Sequence, residues 1–393
     1  MKYSALIISY CTVLFAGSLS AQADPVPFSA PQPLLTVSVR PDVLIVPVSI
    51  SGRQYHFLLD TGVSTLMIDN ALASELTQRL PANQVPVLQR AILAAGIRTS
   101  AGPLPHDALL LWQPMAIAIG ESVLPATAPW LGVDLSVFTE MTGVKIDGIL
   151  GQDIFRQFVW QVDNQQKQLT VWQQAPATLN YPACVPYRDA YDSGPELVLD
   201  YHNRLVNMTV DTGVDYSYIG NDLIKVSRER PESAVLTGIN QPVLGLTGQK
   251  VSDGYSLTGL SFNQMPLGKL LTRENKQGAY GLGMNFLARF DSYLFLPKKM
   301  LFCYREQGFT RDEPAPQRIL AVRYYAHRVE LFSNSPAALT RFGLQNGDVL
   351  VEVNGSKVQP EGIHYLRIAL ADTPAGQLTL KVERRGKMKT IRI

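Results

Sequence analysis

Residues 60–72 and 211–223 can be written one above the other. The first reads Asp60-Thr-Gly-Val-Ser-Thr-Leu-Met-Ile-Asp-Asn-Ala-Leu72 and the second Asp211-Thr-Gly-Val-Asp-Tyr-Ser-Tyr-Ile-Gly-Asn-Asp-Leu223. Further on, Gly151-Gln-Asp-Ile-Phe-Arg-Gln-Phe158 lies over Gly283-Met-Asn-Phe-Leu-Ala-Arg-Phe290, and this match runs without a gap to Trp172 over Tyr304. The landmarks come in the same order both times, which marks an internal duplication. A chain built twice from one unit can bring a residue face to face with its own copy, and that narrows the folds open to it.

Each Asp-Thr-Gly follows an alternating run (55–59 and 206–210) and precedes an apolar one (65–68 and 217–219). Residues 109–119 and 256–262 alternate as well, and Gly96, Gly102, Gly245 and Gly248 punctuate the stretches between. Short strands joined by turns are the natural reading. After Gly151 and Gly283 the pattern predicts helices of one or two turns, with Asp153 and Asn285 placed to cap them. The expected fold class is mostly β.

The chain has 393 residues, 46% of them hydrophobic and 17% charged, with a formal net charge of +2. Such a chain can bury a large core, and its charge gives no reason to expect nucleic acid or acidic lipid as a partner. At the N-terminus Lys2 precedes an apolar run at 5–17, and Ala21-Gln22-Ala23 follows as a small-x-small cleavage pattern. This reads as a signal peptide over 1–23; Tyr10 is too large for lipoprotein processing at Cys11. No other segment approaches about twenty apolar residues, so no membrane span is expected after cleavage. Two cysteines then remain, Cys184 and Cys303. In an oxidising compartment they invite a disulfide closing a loop of over a hundred residues, worth roughly 4–5 kcal/mol in the chain-entropy model. The other reading is two separate buried thiols.

Proline-rich breaks at 173–186 and 305–317 divide the rest. The expected organisation is a signal peptide (1–23), a proline-rich arm (24–35), a first repeat (36–175), a second repeat (176–305), a linker (306–317) and a third segment (318–393).

Splitting a peptide bond with neither metal nor covalent intermediate needs a base for water and an acid for the carbonyl. Two carboxyls about 3 Å apart supply both, because like charges that close keep one proton between them. Asp60 and Asp211 are the candidates. Gly62 and Gly213 permit a tight turn beneath each carboxylate, and Thr61 and Thr212 offer hydroxyls to cross-link the loops. A lone Asp-Thr-Gly is also a good turn sequence between strands; two in matching frames favour the chemistry.

On these residues the chain resembles the pepsin and retropepsin superfamily of aspartic proteases, over roughly residues 36–305. The resemblance is carried by Asp60-Thr61-Gly62, Asp211-Thr212-Gly213, Gly148-Ile-Leu-Gly151 and Tyr280-Gly-Leu-Gly283. It implies a bilobal fold with both halves in one chain, Asp60 and Asp211 as catalytic dyad, an interlocking contact between Thr61 and Thr212, and support from Gly62, Ser64, Gly213 and Asp215. Ser64 and Asp215 stand two residues past the glycines. Gln152 and Met284 stand where retropepsins often carry arginine, and Gly281 replaces the apolar residue found at Ile149. Residues 85–102 and 240–250 are the flap candidates.

Residues 335–355 run Ser335-Pro-Ala-Ala-Leu-Thr-Arg-Phe-Gly-Leu-Gln-Asn-Gly-Asp-Val-Leu-Val-Glu-Val-Asn-Gly355, and segment 318–393 resembles a small α+β PDZ domain. The resemblance implies a helix over 363–370, a final hairpin from 378–382 and 388–393, and binding of a peptide by strand addition. Tyr324-Tyr-Ala-His327 stands where such domains carry their carboxylate loop. The end of the chain is also similar to PDZ domains of bacterial secretion-system and exported-protease proteins, which implies a periplasmic or extracellular setting. The six basic residues from Lys381 to Arg392 read either as a contact for an anionic partner or, the favoured reading, as a solvated edge hairpin with protective charge.

His56, His106, His202, His327 and His364 show no metal-ligand spacing, and no phosphate-cradling loop occurs. The expectation is therefore an exported, monomeric aspartic endopeptidase with no cofactor and no metal. Its partners would be a protein or peptide substrate and a PDZ ligand or envelope or secretion-system protein. The rival is a catalytically inactive protease-fold protein that binds peptides or helps assemble such a system. Asp215 and Gly281 lean towards it; intact carboxylates in both repeats lean against it.

Overall fold

The computed structural model describes residues 31–393 apart from 88–89, 91–96, 100–101, 105–108, 178, 191–193, 229–232, 307–315 and 334–335. The segment read as a signal peptide (1–23), residues 24–30 of the expected arm, most of the expected linker and much of the flap candidate at 85–102 lie outside the described residues. The end of the arm belongs to the fold: Leu35–Ser38 is a strand paired with Gln168–Trp172, and the Leu34 N–H donates to Val171 O at 2.9 Å. Leu34 and Leu35 pack against the main core, and that burial offsets the cost of ordering a proline-rich start.

Alternation puts one face of each strand inward. In Ile45–Ile50 every second residue is buried, and Arg53–Leu59 carries Tyr55 and Phe57 inward before ending in buried Leu58 and Leu59. The chain is mostly β. The first repeat forms an eight-stranded sheet in the order Leu110–Trp112, Trp130–Val133, Met67–Asp69, Gly148–Leu150, Arg53–Leu59, Ile45–Ile50, Ile117–Ile119, Ser122–Leu124. In the second repeat's sheet the corresponding run is Leu270–Asn275, Ser217–Gly220, Gly281–Leu282, Arg204–Val210, Gly194–Tyr201, Leu260–Phe262, Met265–Pro266. In both, the short apolar-glycine strand lies parallel to the strand that precedes Asp-Thr-Gly and antiparallel to the one that follows it. The duplication therefore appears in topology as well as in sequence.

A six-stranded antiparallel sheet joins the repeats, with Val159–Asp163 of the first pairing with Ser292–Leu296 of the second. At its edge Cys184 stands opposite Cys303, and their sulfurs are bonded. Under it the main core crosses from one repeat to the other, with Phe262, Phe286, Phe290, Phe295 and Phe302 packed edge-to-face or tilted on one another.

The helices after Gly151 and Gly283 exist, as Gln152–Phe155 and Met284–Leu287, but Asp153 and Asn285 do not cap them. Glycine occupies each cap. The Asp153 carboxylate instead accepts from Thr65 Oγ1 and the Leu66 N–H, both at 3.0 Å, and Asn285 accepts from Ser217 Oγ at 2.8 Å. Each therefore ties its short helix to the strand leaving the Asp-Thr-Gly loop.

Residues from 316 onward form a separate sheet in the order Ala321–Tyr325, Arg328–Phe332, Val349–Val353, Thr379–Arg384, Lys387–Arg392, with helix Ile363–Asp372 against it. The helix and the final hairpin lie where the sequence predicts them. This segment has its own apolar core around Leu331, Leu350, Ile363 and Leu380. Its first strand and its long helix pack against helix Ser136–Thr142 of the first repeat. Arg40 clamps that contact, its Nη1 donating to Thr142 O at 2.7 Å and to Glu361 O at 2.9 Å.

Candidate active site

Each Asp-Thr-Gly loop is held from beneath by its own apolar-glycine strand. The Asp60 N–H donates to Leu150 O at 3.0 Å and the Gln152 N–H to Val63 O at 2.8 Å. The second loop repeats the pattern with Asp211 to Leu282 O at 2.9 Å and Met284 to Val214 O at 2.9 Å. The threonines then lock one loop to the other. Thr61 Oγ1 donates to Val210 O at 2.5 Å, Thr212 Oγ1 donates to Leu59 O at 2.8 Å, and each hydroxyl accepts the other threonine's N–H at 3.1 Å. Both side chains are fully buried, so every polar group in this cross-over is satisfied.

The lock sets the carboxylates against each other. Asp60 and Asp211 are 6% and 3% exposed. Each accepts from the glycine of its own loop, Gly62 to Asp60 Oδ1 at 2.8 Å and Gly213 to Asp211 Oδ1 at 3.1 Å. Each also lies over the other loop's glycine: a Cβ on Gly213 would fall 2.3 Å from Asp60 Cγ, and one on Gly62 2.7 Å from Asp211 Oδ1. Only glycine lets the two carboxyls approach this closely.

Burial raises both carboxyls above the usual carboxylate range. Asp60 is raised well above it, by burial first and then by the charge of Asp211. Asp211 is raised by burial, while hydrogen bonds from the Gly213 N–H, the Tyr218 hydroxyl and Asp60 pull it back down. The Tyr218 OH donates to Asp211 Oδ2 at 3.1 Å. Two buried carboxyls this close therefore favour a proton kept within the pair.

Of the support residues named from sequence, Thr61, Gly62, Thr212 and Gly213 meet at the dyad. Ser64 and Asp215 do not. Ser64 is exposed, offering only its carbonyl to the Asp153 N–H, and Asp215 lines a neighbouring cavity. Two features escape a reading of the sequence. Tyr218 is one; writing it over Met67 shows the change of residue type but not where the hydroxyl points. The second is a brace from three separate places: Gln152 Nε2 donates to Thr61 O at 3.0 Å, Arg156 holds Gln152 Oε1 at 2.9 Å, and Asp189 holds Arg156 through two 2.7 Å contacts. The flap candidate at 240–250 contributes a roof: the hairpin of Ala234–Gly245 and Gly248–Leu257 brings Leu244, Gly245 and Leu246 to line the space beside both carboxylates. Between roof and dyad lies a cavity of about 40 Å³, room enough for water.

Among the described residues no group of three His, Cys, Asp or Glu side chains is placed to hold a metal ion. Residues 46–154, which carry Asp60-Thr61-Gly62 and Gly148 to Gly151, match a family model described as aspartyl protease. An aspartic protease-like domain is thus present in the first repeat. No curated protein matches the chain.

Proposed function

We propose that this protein is an exported aspartic endopeptidase whose Asp60/Asp211 dyad activates water against a peptide carbonyl. The observation that carries this reading is the meeting of two carboxylates from separate repeats, each over the other's glycine. A protein that only bound peptides would need neither the buried pair nor its asymmetry. Asp211 takes a proton from the water, and Asp60 gives its own to the carbonyl oxygen as the tetrahedral centre forms. Residues 318–393 act as a PDZ domain that recruits substrate or an envelope or secretion-system partner, and 1–23 direct export to the periplasm or beyond. The enzyme works as a monomer without cofactor, since one chain supplies both carboxylates.

The test is cleavage of a diverse peptide mixture from about pH 3 to about pH 8, with products read by mass spectrometry. Fragments should appear with the intact protein and vanish with Asp60→Asn and with Asp211→Asn, while the melting temperature of each variant stays close to that of the parent. Fragments that persist in either variant, or none at any pH from folded protein, would move the weight to the non-catalytic peptide-binding reading.

A further inference from the structure

A second cavity, of about 330 Å³, lies where the second repeat meets the C-terminal segment. It shares Met141 and Leu244 with the space above the dyad, so the two are neighbours along one cleft. Its walls carry three guanidinium groups, Arg273 from the second repeat and Arg318 and Arg367 from the C-terminal segment, against a single carboxylate, Asp215. Apolar side chains such as Leu271, Ile319 and Phe332 complete it.

Each arginine is fixed by one backbone carbonyl. Arg273 donates to Pro242 O at 3.0 Å, Arg318 to Leu370 O at 3.1 Å and Arg367 to Val322 O at 3.1 Å. Arg273 is also stacked 4.6 Å over the Tyr216 ring. A guanidinium has five N–H donors, so each keeps donors beyond the one that anchors it. Among the described residues Asp215 makes no ion pair within 4.0 Å. Three partly or wholly buried cations around one anion make a low-dielectric wall of net positive charge, which concentrates an anionic group and suits a carboxylate in particular, whose two oxygens match the guanidinium fork. The apolar remainder suits a peptide more than a bare ion.

We propose that this cavity receives a carboxylate of a peptide lying across the dyad, either an Asp or Glu side chain or the peptide's own C-terminus. The inference rests on the reading of the dyad as a peptidase site. It makes the C-terminal segment part of the substrate cleft, because Arg318 and Arg367 come from that segment.

The probe is a set of three matched dodecapeptide libraries offered to the full chain carrying Asp60→Asn, with retained peptides counted by mass spectrometry. One library has internal Glu and amidated ends, one has free C-termini and no Asp or Glu, and one has neither. Retention of the first or second at least about tenfold above the third supports the proposal, and which of the two is retained identifies the source of the carboxylate. Equal retention of all three overturns it. Arg318→Gln and Arg367→Gln should erase the preference in protein that still melts cooperatively; a preference that survives both also overturns it. Because the selection reads binding, it stands even if the protein cleaves nothing. If the protein does cleave but shows no preference, the cavity proposal alone fails.

Discussion

Tyr218 reaches Asp211 because residue 281 is glycine: a Cβ there would lie 2.1 Å from the tyrosine's Cζ. The hydroxyl's hydrogen bond lowers the Asp211 pKa, so its removal should raise that pKa, which under the proposed mechanism Asp211 must be above to act as base. In Tyr218→Phe the acid limb of the kcat/KM profile should therefore move to higher pH. The rate should fall about five- to thirtyfold, roughly 1–2 kcal/mol of lost hydrogen bonding. The fold should hold, since the ring keeps its packing. A slower enzyme with an unmoved acid limb would show that Tyr218 serves only as packing.

At the scale of elements, the hairpin of Ala234–Gly245 and Gly248–Leu257 decides access. Its register shifts around Gly238 and Gln241, a bulge that re-aims the tip, and Leu246 at that tip packs against the first repeat's core near Val63 and Phe138. With about 40 Å³ beneath it, the proposed peptide substrate would reach the dyad only once the tip lifts. Leu246→Ala should weaken the closed state by on the order of 1 kcal/mol, speeding amide exchange across 243–248 about five- to tenfold while the flanking strands stay protected. Unchanged exchange would mean that the roof is held elsewhere. Local pattern exposed the two Asp-Thr-Gly loops, their later glycine strands and the helix and hairpin near the C-terminus, because each depends on residues close in sequence. The roof was visible as a flap candidate at 240–250 but not in its packing on the dyad, and the brace from Asp189 through Arg156 to Gln152 not at all. Both form only when segments distant in sequence pack together, and no periodicity records that. The caps expected at Asp153 and Asn285 failed for the same reason, since tertiary donors at Thr65, Leu66 and Ser217 claimed or redirected those side chains.

For the molecule as a whole, the docking of the C-terminal segment couples to pH through His364. Its Nδ1 lies 3.5 Å from Asp42 Oδ2, while its Nε2 is buried without a hydrogen-bond partner. A neutral ring leaves only a lone pair there; a protonated ring would bury an N–H with no acceptor. Burial accordingly lowers the His364 pKa, with Arg40 and Arg367 adding to that and the carboxylates of Asp42 and Asp215 opposing it. A base whose folded pKa is depressed contributes stability that is present above its unfolded value, about 6.5, and is lost as pH falls towards the folded one. The dyad has the opposite sign: its raised carboxyls favour the folded state at low pH and lose that contribution as pH rises through their folded values. Acidification should thus favour the shared proton while loosening the contact among Arg40, Thr142, Glu361 and His364, next to the proposed substrate cleft. As pH falls from about 8 to about 5.5, protection factors in 136–142 and 321–325, taken against the intrinsic exchange rate at each pH, should fall while those of the six-stranded sheet hold. His364→Gln, which cannot take a proton, should flatten that difference. If the variant kept the full pH response, the loosening would belong to another group and His364 would be an ordinary packing residue at the junction.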